Sequence, residues 1–240
     1  MKIYRIEISD KKELLDLIDI SKLLFFFDIV LVVSNTSKLI IEDLKNFINK
    51  EELEKLDAYK SEVAKINFAV SRSILNKVFE AILDVPIENI VVLRDKHNKP
   101  YIKNGNGVKF NISHTDGLVA IGFSRKELGV DIEKVNDIFE FEDILENCFT
   151  SEEIKTIGFD APMFYKYWTA KEAYLKYEGH GLIRNPKEIE VIDMDDQIIK
   201  IEDKVNRIDK DLIALNLSAG KYFGAICIKT SYQMSIQNKK

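Results

Sequence analysis

The stretch FNISHTDGLVAIGF, residues 110–123, returns in weaker form as LNLSAGKYFGAICI at 215–228. Asn111 falls over Asn216, Ser113 over Ser218, and Ala120-Ile121 over Ala225-Ile226. Each copy reads as two strand-like runs around a turn signal. The helical stretches upstream align as well, SRSIL at 71–75 over KEAYL at 171–175, which sets Arg72 opposite Glu172. A repeat that covers a helix and the strands after it, in the same order, points to an α+β protein built from two similar halves. We expect two α/β lobes related by a pseudo-twofold axis, residues 1–125 and 126–240, with a ligand cleft between them. In that cleft the first half offers cations, Arg72 and His114, and the second offers acids, Asp131, Glu133 and Glu172.

Outward from the repeat, the first half reads as a strand over 2–8, a short helix over 11–18 and an apolar strand over 25–33. A charged helical stretch at 45–62 follows, then a longer helix over 63–83 with Phe68, Leu75, Val78, Phe79 and Ile82 at helical spacing, broken before Pro86. Strands are expected at 90–93, 108–113, 118–123 and 130–132. In the second half a helix spans 161–178, and strands follow at 189–193, 198–201, 212–217 and 223–229. The segment NDIFEFEDILENCF at 136–149 places Ile138, Phe141, Ile144 and Leu145 on one helical stripe.

The bulk properties narrow the class. With 240 residues there is chain enough for a large core. A formal net charge of -5 argues against a nucleic-acid binder that depends on counterion release, though not against a local basic pocket for one phosphorylated ligand. Cys148 and Cys227 are far apart in apolar surroundings and read as reduced thiols. LLFFFDIVLVV at 23–33 contains Asp28 and is too short to cross a bilayer, and MKIYRIEIS alternates like a strand rather than a signal peptide. The expectation is a soluble cytoplasmic protein.

The residues able to do chemistry are few. In GVDIEK, 129–134, strand alternation puts Asp131 and Glu133 on one face, either as a wet surface or as hard oxygen ligands for a divalent cation. Ser113-His114-Thr115 closes a strand before a Gly-containing turn and suits a phosphate, or is only the hairpin that Asp116-Gly117 turns. Glu172 and Lys176 share a helix face, an exposed ion pair by default, but Trp168, Phe164 and Leu175 make that side apolar. His97 lies in a polar turn, and His180 sits between glycines after the helix. There is no His pair, CxxC, phosphate-binding glycine loop or dinucleotide fingerprint.

Taken together, KPYI at 99–102, FNISHT at 110–115, GVDIE at 129–133, FTSEE at 149–153 and FYKYWTAKEAYLKYEGHGL at 164–182 resemble the 4′-phosphopantetheinyl transferases of the two-lobed, surfactin-synthetase-activating type. The resemblance covers about residues 56–182. It implies transfer of the phosphopantetheine arm of coenzyme A to a serine of an acyl or peptidyl carrier protein, Mg²⁺-dependent, with release of adenosine 3′,5′-bisphosphate. By matching positions it implies Asp131, Glu133 and Glu172 as Mg²⁺ ligands and Lys176 at the pyrophosphate. Ser113 and His114 would lie at the coenzyme A phosphates, Arg72 at the 3′-phosphate, and Lys99 and Pro100 beside the adenine. Glu172, Lys176 and His114 would act in catalysis. Asn98 stands where the family usually has glycine, and Lys55 and Lys60 are alternatives for a second basic contact. Part of the 136–149 stripe would dock the carrier. Because both lobes lie in one chain, a monomer is expected. The rivals are another Mg²⁺-dependent phosphotransfer or nuclease reaction on the same acids, and a non-catalytic module binding coenzyme A or a carrier.

Overall fold

The computed structural model describes residues 1–17, 19–179 and 183–229. The chain runs β1 (Ile3–Ile8), α1 (Lys11–Leu15), α2 (Ile20–Leu23), β2 (Ile29–Asn35), α3 (Ile41–Leu44), α4 (Lys50–Ala58), α5 (Glu62–Leu83), β3 (Val92–Arg94), β4 (Pro100–Ile102), β5 (Lys109–Thr115) and β6 (Leu118–Ser124). It continues with β7 (Leu128–Lys134), α6 (Glu142–Cys148), α7 (Ser151–Ile157), α8 (Ala161–Glu178), β8 (Ile189–Met194), β9 (Ile198–Asp203), β10 (Ile208–Leu217) and β11 (Tyr222–Ile228). One sheet has the order β1-β2-β6-β5 and the other β7-β11-β10-β9-β8, while β3 and β4 form a separate ribbon. This is the expected α+β architecture with a sheet in each half. No helix among the described residues is long and apolar enough to cross a membrane.

Strand alternation builds the layers. Val30, Val32, Val119, Ile121 and Phe123 face α5, where Ile74, Leu75 and Phe79 close the first core. Ile29, Leu31, Leu118 and Ala120 face the other way and share a central core with Leu128, Val130, Ile132, Ile226 and Ile228 of the second sheet. Phe223, Ala225 and Cys227 turn outward against Ala170, Ala173 and Tyr174 of α8. The order is therefore helix, sheet, sheet, helix. Both sheets are buried on two faces, which is why their central strands are apolar runs.

The two long helices are fixed at both ends. Ser61 and Asp160 accept from the backbone N–H groups of Ala64 and Met163 as N-caps, and Asp84 and Gly179 end the helices at φ 52° and 83°. The apolar run at 23–33 divides. Leu23 ends α2, Phe25 and Phe26 lie exposed in the turn after it, and the strand begins at Ile29. The charged stretch at 45–62 likewise divides, into a single 3-10 turn at Lys45–Phe47 and α4, which stops at Ala58 before α5 starts.

The repeat is real in the order of its elements, but its strands are out of step. Ala120 pairs with Ser113, whereas Ala225 pairs with Ala214, four residues before Ser218. The first hairpin turns on Asp116-Gly117, with Gly117 at φ 84°. The second needs the longer turn Ser218–Lys221, with positive φ at Ser218, Ala219 and Gly220. Ser218 is thus a turn residue and not the counterpart of Ser113. A stripe that looked continuous also splits: Phe141 and Leu145 are buried, while Ile138, ahead of α6, is 90% exposed.

Candidate active site at the seam of the two sheets

The site lies where the edge strand of one sheet meets the edge strand of the other. β5 does not pair with β7 through its backbone. Its alternate side chains do so instead: Asn111 Oδ1 accepts from Val130 N at 2.8 Å, Ser113 Oγ from Ile132 N at 3.2 Å, and Thr115 Oγ1 from Lys134 N at 3.3 Å. Backbone donors at an edge need partners, and here a polar residue at every second position of FNISHT supplies them. This ladder holds the two halves in fixed register.

The carboxylate face of β7 is not wet. Val130 and Ile132 occupy the central core, so Asp131 and Glu133 turn toward α8, and Asp131 is 3% exposed. Gly129 lets α8 come this close: a Cβ there would stand 2.0 Å from Ala173 O and 2.3 Å from Tyr177 N. A hollow of about 200 Å³ results, lined by Ser113, His114, Asp131, Glu133, Trp168, Glu172 and Lys176. Residues from both halves, far apart in sequence, are thereby brought together.

Within the hollow, Lys176 does not pair with Glu172 as helical spacing suggested. Its Nζ reaches across to Asp131 Oδ1 at 2.6 Å and to Ser113 Oγ at 3.1 Å. Ser113 in turn donates to Asp131 Oδ1 at 2.9 Å. With one donation and two acceptances the hydroxyl is saturated. Ser113 thereby holds Asp131, Lys176 and β7 together. Asp131 Oδ2 and Glu172 Oε1 are buried without partners. Burial, then the Asp131 charge, raises both Glu133 and Glu172 to about 7. Desolvation, and next the Lys176 ammonium, lower the His114 imidazole below its usual value, so it is neutral at pH 7. Among the described residues no three acidic, His or Cys side chains form a ready metal centre; Asp131 points one oxygen at Lys176.

Arg72 is not in this hollow. It lines a separate cavity of about 520 Å³ between α4, α5 and β3, together with Lys55, Arg94, Tyr59 and Phe68. Lys60 is not among its lining residues, whereas Arg94, which sequence reading passed over, is. Arg94 Nη1 also donates to Asn98 O at 2.9 Å, and Asn98 adopts φ 69°, the conformation that glycine would take more easily. Lys99 spends its ammonium on the protein, donating to Leu128 O at 3.0 Å and Tyr177 O at 3.3 Å, with Glu127 at 3.6 Å. That ammonium braces the β3–β4 ribbon against the second sheet. Pro100 opens β4 beside another depression, with Tyr101 and Phe110. His180 lies outside the described residues.

The profile of the 4′-phosphopantetheinyl transferase superfamily matches residues 127–232, and that of the 4′-phosphopantetheinyl transferase N-terminal region matches residues 36–125. Between them these profiles span all of the second sheet and strands β5 and β6 of the first, and the chain belongs to the 4′-phosphopantetheinyl transferase superfamily. It is similar to the 4′-phosphopantetheinyl transferase gsp of Aneurinibacillus migulanus, 28% identical over 152 residues, covering 62% of this chain and 58% of that one. It is also similar to the 4′-phosphopantetheinyl transferase Sfp of Bacillus subtilis, 28% over 153 residues, covering 59% and 64%. A third relative is the L-aminoadipate-semialdehyde dehydrogenase-phosphopantetheinyl transferase of Xenopus laevis, 31% over 136 residues, covering 50% and 45%. The chain spans less than two thirds of the length of each of these three relatives.

Proposed function

We propose that this protein transfers the 4′-phosphopantetheine arm of coenzyme A to a serine of an acyl or peptidyl carrier protein. The observation that carries the reading is the hollow at the seam, where Asp131, Glu133, Glu172, Lys176 and His114 converge, with, in the same half as His114, a cavity whose wall mixes Lys50, Lys55, Arg72 and Arg94 with Glu51, Glu52 and Glu88. Arg72, Lys55 and Arg94 would receive the phosphorylated adenosine, with Tyr59 and Phe68 as apolar walls. Their three positive charges suit a phosphate monoester. We place the lobe boundary near 125–126, between β6 and β7, and take the protein to work as a monomer in the cytoplasm.

The acids fit a divalent cation. Two buried carboxylate oxygens lack partners, and two of three carboxylates hold their protons to about 7. Asp131, Glu133 and Glu172 would hold Mg²⁺, which when bound neutralises the pyrophosphate. In the transfer, the carrier serine oxygen bonds to the phosphorus nearest the pantetheine. The bond from that phosphorus to the bridging oxygen breaks, and adenosine 3′,5′-bisphosphate leaves with the electron pair. A carboxylate oxygen of Glu172 not engaged by the metal, or a water held beside it, would accept the serine proton. Lys176 offsets the charge growing on the leaving phosphate, and neutral His114 donates a hydrogen bond to it. Incubation with coenzyme A, Mg²⁺ and a panel of apo carriers should add the mass of the arm to at least one. No addition to any carrier in a broad panel removes the reading.

A further inference from the structure

The two halves use one capping device twice. Asn49 and Thr150 each start a helix with a capping box whose third residue is a buried glutamate, Glu52 on α4 and Glu153 on α7. Each glutamate then reaches a cation on the neighbouring long helix, Arg72 on α5 and Lys171 on α8.

The two pairs end differently. Lys171 is 1% exposed and spends all three donors, on Glu153 at 2.7 Å, Cys148 O at 3.0 Å and Pro186 O at 3.1 Å. That pair is closed and structural. Arg72 sits with Nε 3.5 Å from Glu52 Oε1 and its guanidinium over the Phe68 ring at 5.2 Å, yet its Nη1 is buried without a partner. A buried N–H left unmade is costly, and Arg72 bears that cost at the wall of the 520 Å³ cavity. Glu52 is itself held rigid: Oε2 accepts from Asn76 Nδ2 at 2.7 Å and from Asn49 N at 3.4 Å, and the same Asn76 amide donates to Phe47 O at 2.9 Å.

We propose that Glu52 is a positioning residue that fixes the Arg72 guanidinium so that its free edge meets a phosphate monoester in the cavity. The inference rests on the coenzyme A reading, in which that group is the 3′-phosphate. The open pair is the ligand-binding version of the closed Glu153–Lys171 pair. Asn76 and Asn49 occupy the carboxylate's second oxygen, so Glu52 anchors Nε without placing both oxygens against the incoming anion.

The test is calorimetric titration of the full chain with coenzyme A and with 3′-dephospho-coenzyme A. Glu52→Gln keeps the shape but removes the charged anchor. It should weaken coenzyme A about tenfold, the scale on which hydrogen-bonded supports act on ligand-binding groups, and change 3′-dephospho-coenzyme A by less than about twofold. Glu52→Gln combined with Arg72→Ala should bind no more weakly than Arg72→Ala alone. Equal weakening of both ligands would make Glu52 merely structural, and tighter coenzyme A binding would make it an electrostatic opponent; either overturns the proposal. If Arg72→Ala loses the 3′-phosphate preference and Glu52→Gln keeps it, Glu52 alone is misassigned. If the unaltered protein does not bind coenzyme A, the functional reading falls and this inference with it. Should Glu52→Gln not fold, Arg72→Lys tests the pair from the other side: it keeps the charge but has no Nε, and an undiminished 3′-phosphate preference would overturn the proposal.

Discussion

Replacing Glu172 by glutamine should make the metal-free protein more stable while ending transfer. Glu172 Oε1 is buried without a partner, and its carboxyl is raised from 4.5 to about 7 by burial and by Asp131. An acid whose folded value is raised binds its proton more tightly in the folded state. Stability is therefore lost as pH rises from about 4.5 through 7. A shift of about 2.5 units at 1.36 kcal/mol each sets a ceiling of roughly 3 kcal/mol at pH 8, and partial opening of the hollow to water brings it to about 2 kcal/mol. For a chain of this size that is about 4–8 °C in Tm. The neutral amide never ionises, so Glu172→Gln should gain this stability at pH 8 and almost none below pH 4.5. Thermal unfolding in chelator between pH 4.5 and 8, with and without added MgCl₂, checks it. Mg²⁺ should raise the Tm of the unaltered protein more at pH 8 than at pH 6, and that of the variant little at either. A variant less stable than the parent at pH 8, or a Tm difference independent of pH, would refute the strained-carboxylate argument.

Three further outcomes follow from the packing. Lys171→Met strands Glu153 and two carbonyls in the interior and should cost about 3–5 kcal/mol in urea unfolding, with Lys171→Met/Glu153→Gln costing less than the single change. Asn111→Ala leaves Val130 N without its acceptor at the seam; a loss of about 1–3 kcal/mol is expected, with faster amide exchange along β7 by NMR. Gly129→Ala drives a methyl into the backbone of α8 and should give no folded protein, whereas Gly158→Ala, whose added carbon meets nothing within 4 Å but whose φ of 53° and ψ of -125° strain a side-chain-bearing residue, should fold with a loss of about 1–3 kcal/mol, as read by thermal unfolding followed by circular dichroism.

Much of this protein is local, and the local part was readable in the chain. The span of α8 followed from its caps, Asp160 and Gly179, and from its apolar spacing. Alternation correctly put Asp131 and Glu133 on one strand face, because side-chain period is a property of the strand itself. What alternation could not give was the burial of that face. It depends on the approach of α8 over Gly129, where Gly129 meets Ala173 and Tyr177, residues more than 40 positions further along the chain. The same limit explains Lys176: i,i+4 spacing pointed to Glu172, but a carboxylate from β7 lies closer and more deeply buried. The partners of Ser113 and Lys99 were equally out of reach, because a motif shows residue types and not the hydrogen bonds that other elements bring to them. Arg94 and Glu52 were missed because nothing local marks them; they matter only where β3 and α4 close around Arg72. The sequence by itself determined the two long helices, most of the strands, their order and which side chains share a face. Tertiary structure alone decided which of those groups are free to meet a ligand, since burial and hydrogen-bond partners are settled between elements rather than within them.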